Sequence, residues 1–149
     1  MLGRRGHGCI LGSLADSRGG MGDYEKLEVW QRAHRLTLEA YATTKGFPDG
    51  ERFGLVSQIR RAAASVPANI VEGCGRNGDR EMARFLRTAL GSAQELEYHL
   101  LLARDLALLD PDPWASLTEE TKLVRRMLAS LIRKLSVAPK RPPGSTSSR

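Results

Sequence analysis

Arginine carries most of the chemistry this sequence offers. Arg80, Arg84 and Arg87 recur at steps of four and three residues, and Lys122, Arg126 and Arg133 at steps of four and seven. Residues at such spacings share one face of a helix, so each set makes a basic stripe if its stretch is helical. Arg60, Arg61 and Arg76 add charge nearby in sequence. Between Arg60 and Arg87 six arginines stand against three acids, Glu72, Asp79 and Glu81, and beyond Glu120 the next segment holds five cations and no acid. Guanidinium forks onto phosphate oxygens, and here the cations look segregated from acids instead of alternating with them in ion pairs. Arg60, Arg61, Arg76, Arg80, Arg84, Arg87, Lys122, Arg126 and Arg133 are therefore the candidate contacts to an RNA or DNA backbone, a role that sets affinity and not sequence preference. The plainer alternative is a set of solvated helix faces on a scaffold that binds a protein partner without nucleic acid.

Other chemistries lack their residues. His7, His34 and His99 are scattered, and Cys9 and Cys74 have no ligand at zinc spacing. Ser65 and Ser92 have no histidine three or four residues away. Gly73, Gly75 and Gly78 follow a helical pattern instead of a strand, and no Gly-Lys-Ser/Thr occurs, which excludes a phosphate loop of the usual kind. Glu95 and Glu97 point to different sides of a helix, so they make no acid–base pair. No cofactor, metal or catalytic residue is expected, and the chain does not read as an enzyme.

The net charge of +6 is mostly a property of the ends: residues 1–22 carry two net positive charges and residues 138–149 carry three. The middle is nearly neutral, which weakens any argument from bulk charge alone. Residues 1–22 are rich in glycine and aperiodic, and residues 138–149 are rich in Pro, Ser and Thr. Both are expected to be disordered, flanking one folded unit at 23–137. Met21 is a second candidate start, because the patterned sequence begins just after it. The apolar stretch Cys9 to Leu14 is short for a signal-peptide core, and no apolar run has the length of a membrane span. With only two cysteines, and Cys74 expected as a reduced thiol, a cytoplasmic protein is implied.

Four segments must position the arginines. They are expected at Tyr24 to Lys45, Glu51 to Gly73 or Gly75, Asp79 to Leu109, and Pro113 or Ser116 to Val137. Glycine and proline clusters separate them. Ser116 with Glu119 has the spacing of a capping box, and Asp112-Pro113 is an equally good start. Pro67, inside the second, should kink or break it. Leu55, Ile59, Ala62, Val66 and Ile70 share one face of the second segment. Met82, Phe85, Leu86, Ala89, Ala93, Leu96, Leu100, Ala103 and Ala107 share one face of the third, and Leu117, Val124, Leu128, Leu131 and Leu135 one of the fourth. Short connections between single-striped helices predict an all-α, antiparallel up-down four-helix bundle. The first segment has two apolar faces, one with Leu27, Trp30, His34, Leu38 and Tyr41, the other with Val29, Ala33, Leu36 and Ala40. Burying both calls for a second partner, most simply another copy of the chain. Beside the stripe of the second segment, Gln58, Arg61, Ser65, Asn69 and Glu72 form a polar strip, expected to serve as a hydrogen-bonded seam.

The run from Phe47-Pro48 through Phe53-Gly54-Leu55 and Gln58-Ile59-Arg60-Arg61-Ala62 to Ser65-Val66-Pro67-Ala68-Asn69-Ile70-Val71-Glu72-Gly73 is distinctive. With Leu27 and Val29-Trp30 before it and Phe85-Leu86, Ala89, Gly91-Ser92 and Glu95-Leu96 after it, the chain from about Tyr24 to Leu135 resembles the four-helix-bundle proteins encoded in intervening sequences of bacterial 23S ribosomal RNA genes. That resemblance implies a ring-like homopentamer without enzymatic activity. A related branch, the accessory variability proteins of diversity-generating retroelements, binds nucleic acid and a reverse transcriptase through a basic pentamer surface; for this chain such a nucleoprotein partner is an analogy only, and the near-neutral middle departs from that branch.

Overall fold

The structure, a computed structural model, describes residues 23–137. The expected disorder of 1–22 and 138–149, the alternative start and Cys9 lie outside the described residues. Four helices account for most of the rest: α1 at Glu28–Thr44, α2 at Leu55–Cys74, α3 at Asp79–Asp105 and α4 at Pro111–Ser136. Short 3-10 turns precede α1 at Asp23–Lys26 and α2 at Asp49–Glu51. There is no strand among the described residues. No helix among them is long and apolar enough to cross a membrane.

Sequential helices run antiparallel, as cross-helix pairs show. Ser65 meets Ser92 and Arg61 meets Glu95 between α2 and α3. Between α3 and α4, Glu97 meets Arg125 and Arg87 meets Ser136. Arg60 on α2 reaches Thr44 near the end of α1. α1 also packs on α4, where Arg32 joins Glu120. Glu28 binds the same guanidinium and, with Glu120, holds its pKa above the ordinary arginine value.

One apolar core fills the bundle. The expected stripe of α2 is buried throughout, as are Met82, Leu86, Ala89, Ala93, Leu96, Leu100 and Ala103 of α3. Leu117, Val124, Leu128 and Leu135 of α4 join Val29, Ala33, Leu36 and Ala40 of α1. Alanines alternate with leucines on α1 and α3, which lets helix backbones approach while the leucines fill the gaps between them. α2 and α3 come close at Gly73, where an added Cβ would come 3.1 Å from Phe85 Cβ and 3.3 Å from the Met82 carbonyl.

Several local expectations are corrected. Phe85 is only half-buried, because it sits at the edge of this approach with its ring beneath Arg76 and Arg84. Leu131 is half-buried too. α3 stops at Asp105, so Ala107 does not share its face: it turns left-handed (φ 58°), and Leu108 N–H reaches back to the Ala103 carbonyl at 2.9 Å. That bond is the six-to-one closure of a helix C-terminus. α2 begins at Leu55, after a non-helical Gly54. α4 begins at Pro111 behind an extended Asp110. The Asp-Pro start signal therefore acts one repeat earlier than expected, and Ser116 and Glu119 lie inside the helix. Pro67 neither breaks nor ends α2, which runs uninterrupted from Leu55 to Cys74. Proline at that position denies the Ala63 carbonyl its helical donor, and the Thr37 hydroxyl of α1 approaches that carbonyl at 3.0 Å instead.

Candidate nucleic-acid interface

The antiparallel register gathers Arg76, Arg80, Arg84 and Arg87 at the end of the bundle where α2 finishes and α3 starts. Arg87 donates to Ser136 Oγ at 3.4 Å, so the last turns of α4, with Arg133 and Lys134, share that end. Lys122 and Arg126 lie on the same stripe of α4 but nearer its start. Arg60 and Arg61 leave the cluster. Arg60 is half-buried, donates to Thr44 Oγ1 at 2.9 Å and to the Tyr41 carbonyl at 3.3 Å, and lies over the Tyr41 ring. It therefore ties α1 to α2. Arg61 pairs with Glu95 of α3 at 2.6 Å.

The arginines are less segregated from acids than the sequence suggests. Arg76 pairs with Glu72 at 2.9 Å and Arg84 with Glu81 at 3.1 Å. Both guanidinium groups also lie over the Phe85 ring, 4.9 and 4.7 Å from its centroid. Those two ion pairs were readable from their spacing of four and three residues. The Arg61–Glu95 pair was not, because its partners are 34 residues apart. Arg80, Lys122, Arg126 and Arg133 are exposed and have no ion pair or hydrogen bond among the described residues.

The polar strip of α2 forms the expected seam only at Ser65 and Asn69; Gln58, Arg61 and Glu72 are exposed. Ser65 and Ser92 share a hydrogen bond of 2.8 Å, and Asn69 Nδ2 donates to the Ser65 carbonyl and hydroxyl. Both serines are thus engaged across the α2–α3 contact. His99 lies 3.3 Å from a Glu95 oxygen that Arg61 already holds. Cys74, the last residue of α2, is half-buried. Among the described residues no three His, Cys, Asp or Glu side chains gather as metal ligands would.

Two further surface features stand out, the second apolar face expected of the first segment and a groove that the sequence reading missed. On α1, the Val29–Ala40 face is buried; of the other face Leu27 joins the core and Trp30 packs against it, while His34, Leu38 and Tyr41 are exposed. Leu38 is 57% exposed and Tyr41 42%, beside a Trp30 ring stacked on His34. Between α3 and α4 runs a groove of about 470 Å³ walled by Tyr98, Leu101, Trp114, Thr118, Lys122 and Arg125. Its residues form one face of each of two helices, and only pairing α3 with α4 in register brings the two faces together.

The family model of the 23S rRNA-intervening sequence proteins matches residues 25–130, which span α1 to α3 and most of α4. The chain belongs to this family. Arg133 lies beyond the matched segment; the other eight candidate cations lie within it. A crystal structure at 1.70 Å of a protein of unknown function from the S23 ribosomal protein family of Bacteroides thetaiotaomicron VPI-5482 is similar in fold, with a TM-score of 0.65 at 22% identity. The match covers 70% of this chain and 98% of that one. No curated protein matches the chain. Within the family, then, the surface described above has to supply the functional reading.

Proposed function

We propose that this 23S rRNA-intervening sequence protein is a non-enzymatic helical bundle that assembles with copies of itself and holds an RNA or DNA backbone. The observation that carries the reading is the set Arg80, Lys122, Arg126 and Arg133: four exposed cations on α3 and α4 without an acid partner among the described residues. An unpaired guanidinium gives up only water and counterions on meeting phosphate, whereas Arg61, Arg76 and Arg84 must also leave a carboxylate. Assembly is supported by the open apolar face of α1, and it matters for binding: one subunit offers few phosphate contacts, while an oligomer repeats them at high effective concentration.

The test is a titration of labelled RNA and DNA at several salt concentrations, with the wild type and a variant in which Arg80, Lys122, Arg126 and Arg133 are all glutamine. If each of about five subunits neutralises one or two phosphates, log affinity falls against log salt with a slope of roughly −5 to −9 on duplex DNA. The variant should lose most of that slope while keeping its helical content. A protein-docking scaffold with solvated arginines binds no random oligonucleotide at low salt, and either that result or an unchanged variant rejects the reading.

A further inference from the structure

The groove between α3 and α4 has properties that backbone contact does not use. Three of its wall side chains carry a buried polar atom with no hydrogen-bond partner: Trp114 Nε1, Thr118 Oγ1 and Arg125 Nε. Thr118 as a whole is only 6% exposed. A buried donor left unpaired is costly, and three in one wall form a site short of acceptors. The groove also presents flat apolar surface. Tyr98 is 58% exposed, and Leu101 lies beside it. The Trp114 indole is held from one side by Arg104, 4.2 Å from its ring centroid. Charge completes the set. Lys122, unpaired, stands in the wall, and Arg126 follows one turn later on α4. Glu97, the acid of the groove, is already neutralised by Arg125.

We infer that this groove is a binding site for an unpaired nucleotide unit, whose base stacks on Tyr98, whose base edge accepts hydrogen bonds from the Trp114, Thr118 and Arg125 side chains as these turn to meet it, and whose phosphate meets Lys122 and Arg126. A nucleotide is planar, rich in acceptors and anionic, which matches each deficit of the site, and stacking on an aromatic ring is how single strands are commonly held. The groove volume falls within the range of small-ligand sites. A base inside a duplex exposes no face to stack, so the site selects single strands or free nucleotides. The inference deepens the backbone reading above and rests on it.

The test uses the full chain at one low salt concentration with three probes: a labelled single-stranded oligonucleotide, its duplex and a nucleoside monophosphate. The single strand should bind at least about tenfold more tightly than the duplex, and Tyr98→Ala should weaken it by about tenfold without touching duplex affinity. Trp114→Phe keeps the ring, removes the donor and should also weaken the single strand. Binding of the monophosphate that Tyr98→Ala abolishes identifies a free nucleotide as the source; binding of the strand alone identifies single-stranded nucleic acid. Equal affinity for strand and duplex, or indifference to Tyr98→Ala, overturns the groove site. If such binding still disappears in the variant with four glutamines, the backbone reading survives alone; if no probe binds at all, both fall.

Discussion

Thr37 of α1 supplies the hydrogen-bond donor that Pro67 of α2 lacks. Its hydroxyl lies 3.0 Å from the Ala63 carbonyl, the group a residue 67 with an N–H would have bonded, and 2.8 Å from the Ala33 carbonyl of its own helix. One proton is thus shared between a helix's own turn and its neighbour's defect. The defect is thereby converted into a contact that fixes where α1 crosses α2.

Replacing Thr37 by valine keeps the shape and removes the proton. Denaturant unfolding should show a loss of about 1–2 kcal/mol, the usual cost of orphaning a buried carbonyl. In a Pro67→Ala background, where the backbone N–H returns, the same change should cost markedly less. Equal costs in both backgrounds would mean that the two residues are not coupled.

Glycine 73 and glycine 91 should respond with opposite sign to alanine. Alanine is worth up to about 1 kcal/mol more than glycine in a helix interior. At Gly91 nothing lies within 4 Å of an added Cβ, so Gly91→Ala should raise stability by roughly that amount. At Gly73 the new Cβ meets Phe85 and Met82 at 3.1 and 3.3 Å, and overpacking typically costs about 1–3 kcal/mol. Gly73→Ala should therefore be neutral to destabilising, and less damaging than Leu96→Ala in the fully buried core, at about 2–5 kcal/mol. A stabilised Gly73→Ala protein, or a Leu96→Ala loss below about 0.5 kcal/mol, contradicts this packing.

How far the sequence led follows from these cases. The bundle was legible because every helix buries one stripe, and Ile59, Ala93, Leu96 and Leu128 sit where a period of 3.6 puts them. Helix ends were less legible. Asp110-Pro111 and Asp112-Pro113 carry the same start signal, and only the left-handed Ala107 and the buried Leu109 settle where the turn falls. Pro67 misled because its remedy lies on another helix, 30 residues earlier at Thr37. The arginine stripes were correctly placed on exposed faces, but charge counted along a chain does not see the Arg61–Glu95 pair. The groove was invisible for the same reason: Tyr98 and Trp114 acquire a relation only once α3 and α4 are paired.

Self-association should depend on the open face of α1. Leu38 is 57% exposed and makes no part of the core, so Leu38→Glu should leave unfolding stability within about 0.5 kcal/mol. A charge there would have to be desolvated in an interface, so light scattering should report a fall from an oligomer to a 16.4 kDa monomer. A wild type that is monomeric at high concentration, or a variant that keeps the wild-type mass, would place the contact elsewhere or remove it.

The division of the arginines into paired and unpaired makes the sharpest prediction about binding, because stability and affinity should separate between neighbours on one stripe. Arg80 and Arg84 are one helical turn apart on α3. Arg84 holds Glu81 at 3.1 Å and covers the Phe85 ring, whereas Arg80 has no partner among the described residues. Arg84→Ala removes an exposed ion pair and a cation–π contact, worth together on the order of 0.5–1.5 kcal/mol, and should lower stability by that amount. It should change the salt slope little, since a guanidinium engaged with a carboxylate and a ring releases few counterions from phosphate. Arg80→Ala should leave stability within about 0.5 kcal/mol and reduce the slope by roughly one for each subunit in contact with the strand. Long-range attraction is the same for both, as each loses one positive charge, so a common drop in affinity at low salt cancels in the comparison. Unfolding curves and salt titrations on the two single variants therefore form a crossed pattern. Identical slopes for the two variants would show that the ion pairs have no bearing on which cations meet the phosphates.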